Sequence, residues 1–497
     1  MTYYIDPYGC VKNQVDAELM MAFLDEAGWA KAEDAEYADL IIINSCGFIE
    51  SAKQESINAV LSWKKHYPGK KILLAGCLSQ RYSKDLAETL PEADGFFGVE
   101  NISGITAAAQ EVMGLAHDVG KSEKLPNGKN AASASQKTVG RGNVGSRPLL
   151  SMPGSAYVKI SEGCDNCCSF CAIPLIRGGL KSRDIPEIIT ECKTLLNRGI
   201  KEICLVGQDN GSYGKDLPSA SLPGLLEALS RLDGDFWVRI LYIHPDHFPL
   251  PILDIMEKDK RFLPYFDIPF QHASEKILKA MGRKNDAAFY LGLIKTIRQK
   301  LPDSVVRSTF LTGFPGETDE DFEQLLDFQK KAALDWLGCF VYSREEGTPS
   351  WGMVGRVPKK IAAKRKQLVE ESQVLITENA MNRFVKRAFN VLVEEKFDSL
   401  GKFPTEKLPN EVLSNGKYTE KHPQISQSQA LQPIEDNSEE TEKEAFLYLG
   451  RLPCQAPEVD GAAVIFSYKP LQLGQMISCR VVARAGFDLE VWPEFEL

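Results

Sequence analysis

Residues 164–171 read Cys164-Asp-Asn-Cys167-Cys168-Ser-Phe170-Cys171. Three of these thiols, Cys164, Cys168 and Cys171, stand in the spacing C-x3-C-x2-C. Soft ligands at this density select iron–sulfur clusters or zinc. Three thiolates on a four-iron cluster leave one iron without a protein ligand. Such an iron can chelate a small molecule instead of only passing electrons. Other readings compete. As Cys164-x2-Cys167 and Cys168-x2-Cys171 the stretch is two C-x2-C pairs that could hold zinc, although zinc pairs usually stand a longer loop apart. A ferredoxin-like carrier needs a fourth nearby Cys and a different spacing. A disulfide knot does not suit a chain of this length with no secretory signal. Cys167 has no part in the C-x3-C-x2-C reading and is a buried or spare thiol.

The elements that must position these thiols come from a chain of 497 residues, long enough for roughly three domains. No apolar run approaches a membrane span, and Met1-Thr-Tyr-Tyr-Ile does not open a signal peptide, so the expectation is a cytoplasmic protein with no membrane partner. A reducing compartment suits its twelve cysteines. The net charge of −10 argues against a large nucleic-acid footprint, though not against a local basic patch.

A second set of thiols lies at the N-terminus. Tyr3–Asp6, Leu40–Asn44 and Lys71–Ala75 read as strands, the last two almost continuously apolar. Helical patterns fall between them, from Asp16 to Leu24, stopped by Gly28, and from Ser51 to Lys65. This alternation predicts a doubly wound parallel α/β domain over residues 1–115. Ligands of such sheets bind beyond the carboxyl ends of the strands. Cys10, Cys46 and Cys77 sit just past those ends, each beside a glycine that allows close backbone approach. Three convergent thiolates suit a second cluster with one open iron; the plain alternative is three buried apolar cysteines.

Residues 116–148 are rich in Gly, Ser, Asn and Lys and read as a linker. From 149 to 388 strands and helices alternate again. Strands are expected at Ala156–Ile160, Glu202–Val206, Trp237–Tyr242, Tyr265–Ile268, Val305–Phe310 and Leu337–Tyr342. The helices between them make six units, and a charged helical stretch, Lys359 to Arg387, trails the last. Chemistry of such folds gathers at the carboxyl ends of strands. Glu162, Gln208-Asp209-Asn210, His244-Pro-Asp246, Gln271-His272, Thr312 and Ser343 stand there. Residues 389–497 read as short strands with Gly turns, a small five-stranded β-barrel. Lys402 to about Glu444 interrupts it with Gln, Ser, Pro and acidic residues and is expected to be a disordered insertion. Cys192, Cys204, Cys339, Cys454 and Cys479 lie in apolar or β contexts and read as structural.

The Cys164/Cys168/Cys171 pattern resembles the signature of the radical S-adenosylmethionine (SAM) enzymes. Gly9-Cys10-Val-Lys12-Asn13-Gln-Val15-Asp16-Ala-Glu18, Asn44-Ser-Cys46-Gly-Phe-Ile-Glu50 and Gly76-Cys77-Leu-Ser-Gln80-Arg81 resemble the N-terminal domain of the methylthiotransferases. Lys159-Ile-Ser-Glu-Gly-Cys164, Asp267-Ile-Pro-Phe-Gln-His272 and Gly313-Phe-Pro-Gly-Glu317-Thr resemble motifs of the same family. The N-terminal stretch and Leu205-Val-Gly-Gln208-Asp209-Asn-Gly-Ser-Tyr213-Gly are most similar to its ribosomal-protein branch. Val11 and Ala17 replace that branch's usual Pro and Ser, and Asn210 and Gly211 its usual two Thr. Arg451-Leu-Pro-Cys454-Gln-Ala-Pro-Glu458-Val-Asp-Gly461 resembles a TRAM domain.

The resemblance implies a partial (β/α)6 radical SAM barrel and two 4Fe-4S clusters. Cys10, Cys46 and Cys77 would hold one cluster, and Cys164, Cys168 and Cys171 the other. SAM would serve both as methyl donor and as radical source. Phe170 is placed beside its adenine, and Gln208, His244 and Gln271 are candidate SAM contacts. No side chain is assigned as a general acid or base, because an unactivated C–H bond has no useful acidity at neutral pH. The implied substrate is the β-carbon of an aspartate in the S-twelve protein of the small ribosomal subunit. A sulfur donor and an electron donor of flavodoxin or ferredoxin type are the implied partners. The alternatives are a tRNA methylthiotransferase acting on a modified adenosine, and a non-catalytic iron–sulfur carrier or RNA-binding protein. From Phe446 onward the tail has more acidic than basic residues, which would repel RNA and favour a basic protein substrate.

Overall fold

The computed structural model describes residues 1–115, 144–397, 402–404, 442–444 and 446–496. Five parallel strands form the N-terminal sheet, in the order Ala30–Lys31, Thr2–Pro7, Leu40–Ser45, Lys71–Gly76, Gly95–Phe97. Leu40 to Ile43 are fully buried, because helices cover both faces of this sheet. The helix at Val11–Glu26 starts directly after Cys10, five residues before the apolar period begins. Its first turns bury Lys12, Asn13, Asp16 and Glu18, so a hydrophobic pattern could not mark them. Cys77 opens a further helix, Cys77–Thr89.

The central unit is a sheet of six parallel strands: Ser155–Lys159, Glu202–Val206, Trp237–Ile240, Phe262–Asp267, Val305–Thr312 and Trp336–Val341. They pair in chain order and the first and last do not meet, which makes the expected open (β/α)6 barrel. The outer face packs on the intervening helices through residues such as Val158, Leu205, Phe266 and Leu325. The inner face presents Tyr157, Val206, Leu241 and Trp336 to the other two units, whose Val15, Leu19, Leu452 and Ala456 join the same core.

The tail is a closed barrel of Ala388–Lys396, Phe446–Arg451, Ala463–Ser467, Asp488–Pro493 and Met476–Ala485. It docks on the amino ends of the central strands through a buried ion network. Arg451 reaches Glu394 at 2.6 Å and Glu202, whose other oxygen takes Arg239 at 2.8 Å. Trp336 Nε1 donates to the carbonyl of Cys454 at 2.9 Å. The motif around Arg451 is therefore used for docking inside the molecule.

Three sequence expectations change. The linker as read to residue 148 is too long: Arg147 is fully buried between Glu18 and Glu191, at 2.9 and 2.6 Å. Residues 116–143 lie outside the described residues. The insertion does not begin and end as loose chain, since Lys402–Pro404 pairs antiparallel with Glu442–Glu444; residues 405–441 lie outside the described residues. Half of the acidic surface inferred for the tail barrel is internal, while Glu458, Glu494 and Glu496 stay at the surface. Asp488 and Glu490 are buried, the Asp460 side chain is 1% exposed, and the opposing Arg451 is buried as well. Among the described residues no helix is long and apolar enough to cross a membrane.

Candidate active site

Asn13 ties the three N-terminal cysteine loops together. Its Nδ2 donates to the carbonyls of Tyr8, at 3.2 Å, and Ser45, at 2.9 Å, just ahead of Cys10 and Cys46. Its Oδ1 lies 3.3 Å from Cys77 Sγ and 3.9 Å from Cys10 Sγ. The loops are closely stacked: a Cβ on Gly47 would stand 2.6 Å from the Cys77 carbonyl oxygen. Gly76, at φ +98°, turns the chain from strand to helix where a side chain would strike the backbone of Ser45. Burial raises the thiols of Cys46 and Cys77, Cys77 to about 12, and the Cys10 sulfur adds to both. Burial acts on Cys10 too, yet Lys12, Arg177 and backbone N–H groups hold its thiol below the usual value. Cys10 is exposed to solvent.

The second triad follows the first central strand. Gly163, at φ +69°, folds the loop against the Gly179 carbonyl, and Cys164 N donates to the Gly178 carbonyl at 3.1 Å. Asn166 Nδ2 donates to Asp209 at 2.9 Å, and Asp209 also accepts from His247 Nδ1 at 2.8 Å and from the His244 N–H at 3.0 Å. Ser169 anchors the far side of the loop through the carbonyls of Met281 and Ala280, at 3.0 and 2.8 Å. Burial raises Cys171 to about 12, with the other two sulfurs adding to it. The Arg283 charge faces Cys168 and Cys171. Among the described residues no carboxylate lies within ion-pair distance of Arg283. Cys167 is exposed and turned outward, with Asp165 and Lys284, to a cavity of about 240 Å³.

A closed ring of ions joins the two triads. Lys159 pairs with Asp16 and, at 2.6 Å, with Glu162. Arg177 pairs with the same two carboxylates, at 2.8 and 2.6 Å. Its Nη2 also donates to Asn13 Oδ1 at 2.6 Å and to Cys77 Sγ at 3.1 Å. Arg177 ends the short helix Ile173–Arg177 that directly follows Cys171. One guanidinium therefore leaves one triad's loop and touches a cysteine of the other. Burial opposes ionisation of Glu162, but Lys159 and Arg177 hold its carboxyl well below the usual range. A second clasp, Glu345 with Arg81 at 2.8 Å and Lys53 at 3.1 Å, fixes the N-terminal unit on the opposite side.

Sequence comparison agrees with this architecture. Residues 2–98 match the Uncharacterized protein family UPF0004, residues 158–328 the Radical SAM superfamily, and residues 434–491 the TRAM domain. The ribosomal protein uS12 methylthiotransferase RimO of Treponema denticola is 42% identical, covering 98% of this chain and 99% of that protein. The protein of the same name from Carboxydothermus hydrogenoformans is 36% identical over 99% of each. The chain belongs to the RimO family of radical SAM methylthiotransferases. Among solved structures, the radical SAM methyltransferase TsrM from Kitasatospora setae shares the fold, with a TM-score of 0.50 and 14% identity, covering 70% of this chain and 73% of that one.

The cofactors of this family are SAM and two 4Fe-4S clusters. The donor sets fit them. Each triad brings three thiols into mutual electrostatic reach and sets a buried cation against them, Arg177 or Arg283. Among the described residues no three His, Cys, Asp or Glu side chains crowd closely enough for one ion to bond them all. A four-iron cube spreads its thiolates, since each bonds a different iron.

The proposed SAM contacts stand differently from one another. Phe170 packs beside Ile277, Met281 and Phe314, next to the cysteine loop. Gln208 donates to Glu162 at 3.3 Å and keeps a buried, unpartnered Oε1. Gln271 adopts φ +69° four residues past the strand Phe262–Asp267, and among the described residues its side chain makes no hydrogen bond. His244 is engaged: Arg283 donates to its Nε2, which lies 3.8 Å from Cys168 Sγ. Burial and Arg283 push it down to about 3, so it stands neutral beside Cys168, on the cavity that Cys168 also lines. Arg177, Lys159 and Arg283 carried no signal beyond their motif neighbourhoods, because Lys and Arg default to solvated surface in any sequence reading.

Proposed function

We propose that this chain places a methylthio group on the β-carbon of an aspartate in ribosomal protein uS12, with Cys164, Cys168 and Cys171 holding the cluster that binds SAM and Cys10, Cys46 and Cys77 holding the second. The observation that carries this reading is the pairing of two cysteine triads across one buried ion ring, in a chain similar throughout to uS12 methylthiotransferases. When bound, SAM at an open iron supplies a carbon radical that can break an unactivated C–H bond, and it also supplies the methyl group.

The protein's part is placement and charge. The ion ring fixes the N-terminal cysteine loops against the barrel mouth, with Arg177 of one loop reaching Cys77 of the other triad. Arg177 and Arg283 neutralise thiolate charge where water does not. Phe170, Gln208 and Gln271 are the groups left to hold SAM. A sulfur donor and a reductant of flavodoxin or ferredoxin type belong to this reading, and the cytoplasm is its compartment. The tRNA alternative gains nothing from the tail barrel, where exposed Lys469 and Arg480 are offset by exposed Glu458 and Glu494.

The test separates the triads. After anaerobic reconstitution, Cys168→Ala should abolish reductive cleavage of SAM. Cys46→Ala should leave cleavage largely intact and stop methylthio transfer. Loss of SAM cleavage in Cys46→Ala, with the barrel cluster still present by absorption, would overturn the division.

A further inference from the structure

Lys12 is a buried cation without a carboxylate partner among the described residues. It is 8% exposed, and among the described residues no carboxylate lies within 4 Å of its Nζ and the ammonium makes no hydrogen bond. Its one partner is the ring of Tyr242, whose centroid is 3.7 Å from Nζ. Burying a charge unpaired is costly, and a cation–π contact returns only about 0.5–2 kcal/mol. Of the other buried cations of the site, Arg283 bonds His244 and the rest are matched by carboxylates. Arg177 and Lys159 have Asp16 and Glu162, and Arg307 has Asp267 at 3.1 Å.

The position of Lys12 says what could complete it. It stands two residues after Cys10, close enough for its charge to act on that thiol. Tyr242 comes from the central barrel, just past the strand Trp237–Ile240, and its hydroxyl feels Cys10, Asp267, Arg307 and Glu458. Its backbone is at φ +60°. Asn210 holds that turn, donating to the carbonyl of Leu241 and, by its N–H, to that of Tyr242 at 2.9 Å. Lys12 and Tyr242 thus join the N-terminal cysteine site to the barrel mouth. The β-carbon of an aspartate side chain is one bond from its carboxylate carbon. A cation at Lys12 that held this carboxylate would set the β-carbon beside the Cys10 site.

We propose that Lys12, steadied by Tyr242, is the receptor for the side-chain carboxylate of the target aspartate and selects aspartate over its uncharged analogues. The proposal rests on the uS12 reading above and adds the group that recognises the residue modified. Its rival is a Lys12 that only offsets charge on the cluster held by Cys10.

The experiment uses the reconstituted full-length enzyme without reductant, so that binding is read apart from turnover. Fluorescence anisotropy measures its affinity for two labelled uS12 peptides, one with the target aspartate and one with asparagine there. The wild type should prefer the aspartate peptide by at least about tenfold, the worth of one hydrogen bond to a charged group. Lys12→Met should erase that preference and leave asparagine-peptide binding within about twofold; Lys12→Arg should keep part of it. Iron content should match the wild type in both variants, and Lys12→Arg guards against a folding defect peculiar to Met. A Lys12→Met enzyme that keeps the preference, or that loses both peptides equally, overturns the proposal. A preserved preference with a shifted midpoint potential identifies Lys12 as a cluster counter-charge instead. If the wild type binds neither peptide, the uS12 reading itself falls, and this proposal with it.

Discussion

Arg177→Met removes a side chain that touches both halves of the site, from the loop after Cys171 to Cys77, while nearly keeping its volume. Two carboxylates, Asp16 and Glu162, would then share Lys159 alone, leaving a net buried negative charge. Breaking a buried pair by removing one partner costs about 3–5 kcal/mol. The grip of the N-terminal unit on the barrel should weaken by that order, and the double variant Arg177→Met/Asp16→Asn should recover part of the loss. The electrical effect is separate. Arg177 Nη2 lies 3.1 Å from Cys77 Sγ. A unit charge about 5 Å from the centre of the cluster's charge, at an effective dielectric of about 20, contributes about 3 kcal/mol. For a one-electron couple that is on the order of 100 mV. The N-terminal cluster should therefore become harder to reduce by that amount. An EPR-monitored redox titration in a background with Cys164, Cys168 and Cys171 replaced by Ala isolates its signal. A shift under about 20 mV, well below the 59 mV of one tenfold step, would refute a guanidinium facing this ligand.

Other outcomes follow from the same geometry. Arg451→Met strands Glu394 and half-strands Glu202, so the tail barrel should detach at lower temperature, with a loss of about 3–5 kcal/mol seen by calorimetry or limited proteolysis; Glu394→Gln beside it should restore part. Burial pushes Asp460 up from 3.8 to about 6 against the opposing pull of Arg307 and the Tyr265 hydroxyl. A raised carboxyl stabilises the fold fully below its unfolded value and less as pH rises through its folded one. Tail-barrel stability should thus fall by up to about 3 kcal/mol between pH 4 and 6, and Asp460→Asn should flatten that slope in pH-dependent melting. Replacing residues 405–441 by a four-residue turn should leave the barrel and both clusters intact, because Pro404 and Glu442 already pair. About three halvings of loop length change closure entropy by about 2 kcal/mol in favour of folding, so a large drop in melting temperature would show that the segment packs on the barrel.

What could be read in the sequence was whatever rests on local pattern. Leu40 to Ile43 announced a strand buried on both faces, and the spacing of Cys164, Cys168 and Cys171 announced a cluster loop. Cys10, Cys46 and Cys77 were legible as a set because strand ends in a parallel sheet converge. The pairings that make these pieces one site were not legible. Lys159 meets Asp16 across 143 positions and Arg177 meets Cys77 across 100. The start of the helix at Val11 was hidden by its own function, since Lys12, Asn13 and Asp16 are polar residues turned inward. Counting charges in the tail misled for the same reason: Arg451, Asp460, Asp488 and Glu490 face the interior, where composition says nothing about surface potential.

Mass spectrometry of uS12 and of tRNA, each incubated with the reconstituted enzyme, SAM, a reductant and a sulfide source, tests the central claim most directly. One methylthio group on a single aspartate of uS12, and none on tRNA, is the expected result. A methylthio group on a tRNA adenosine with uS12 unchanged would contradict it.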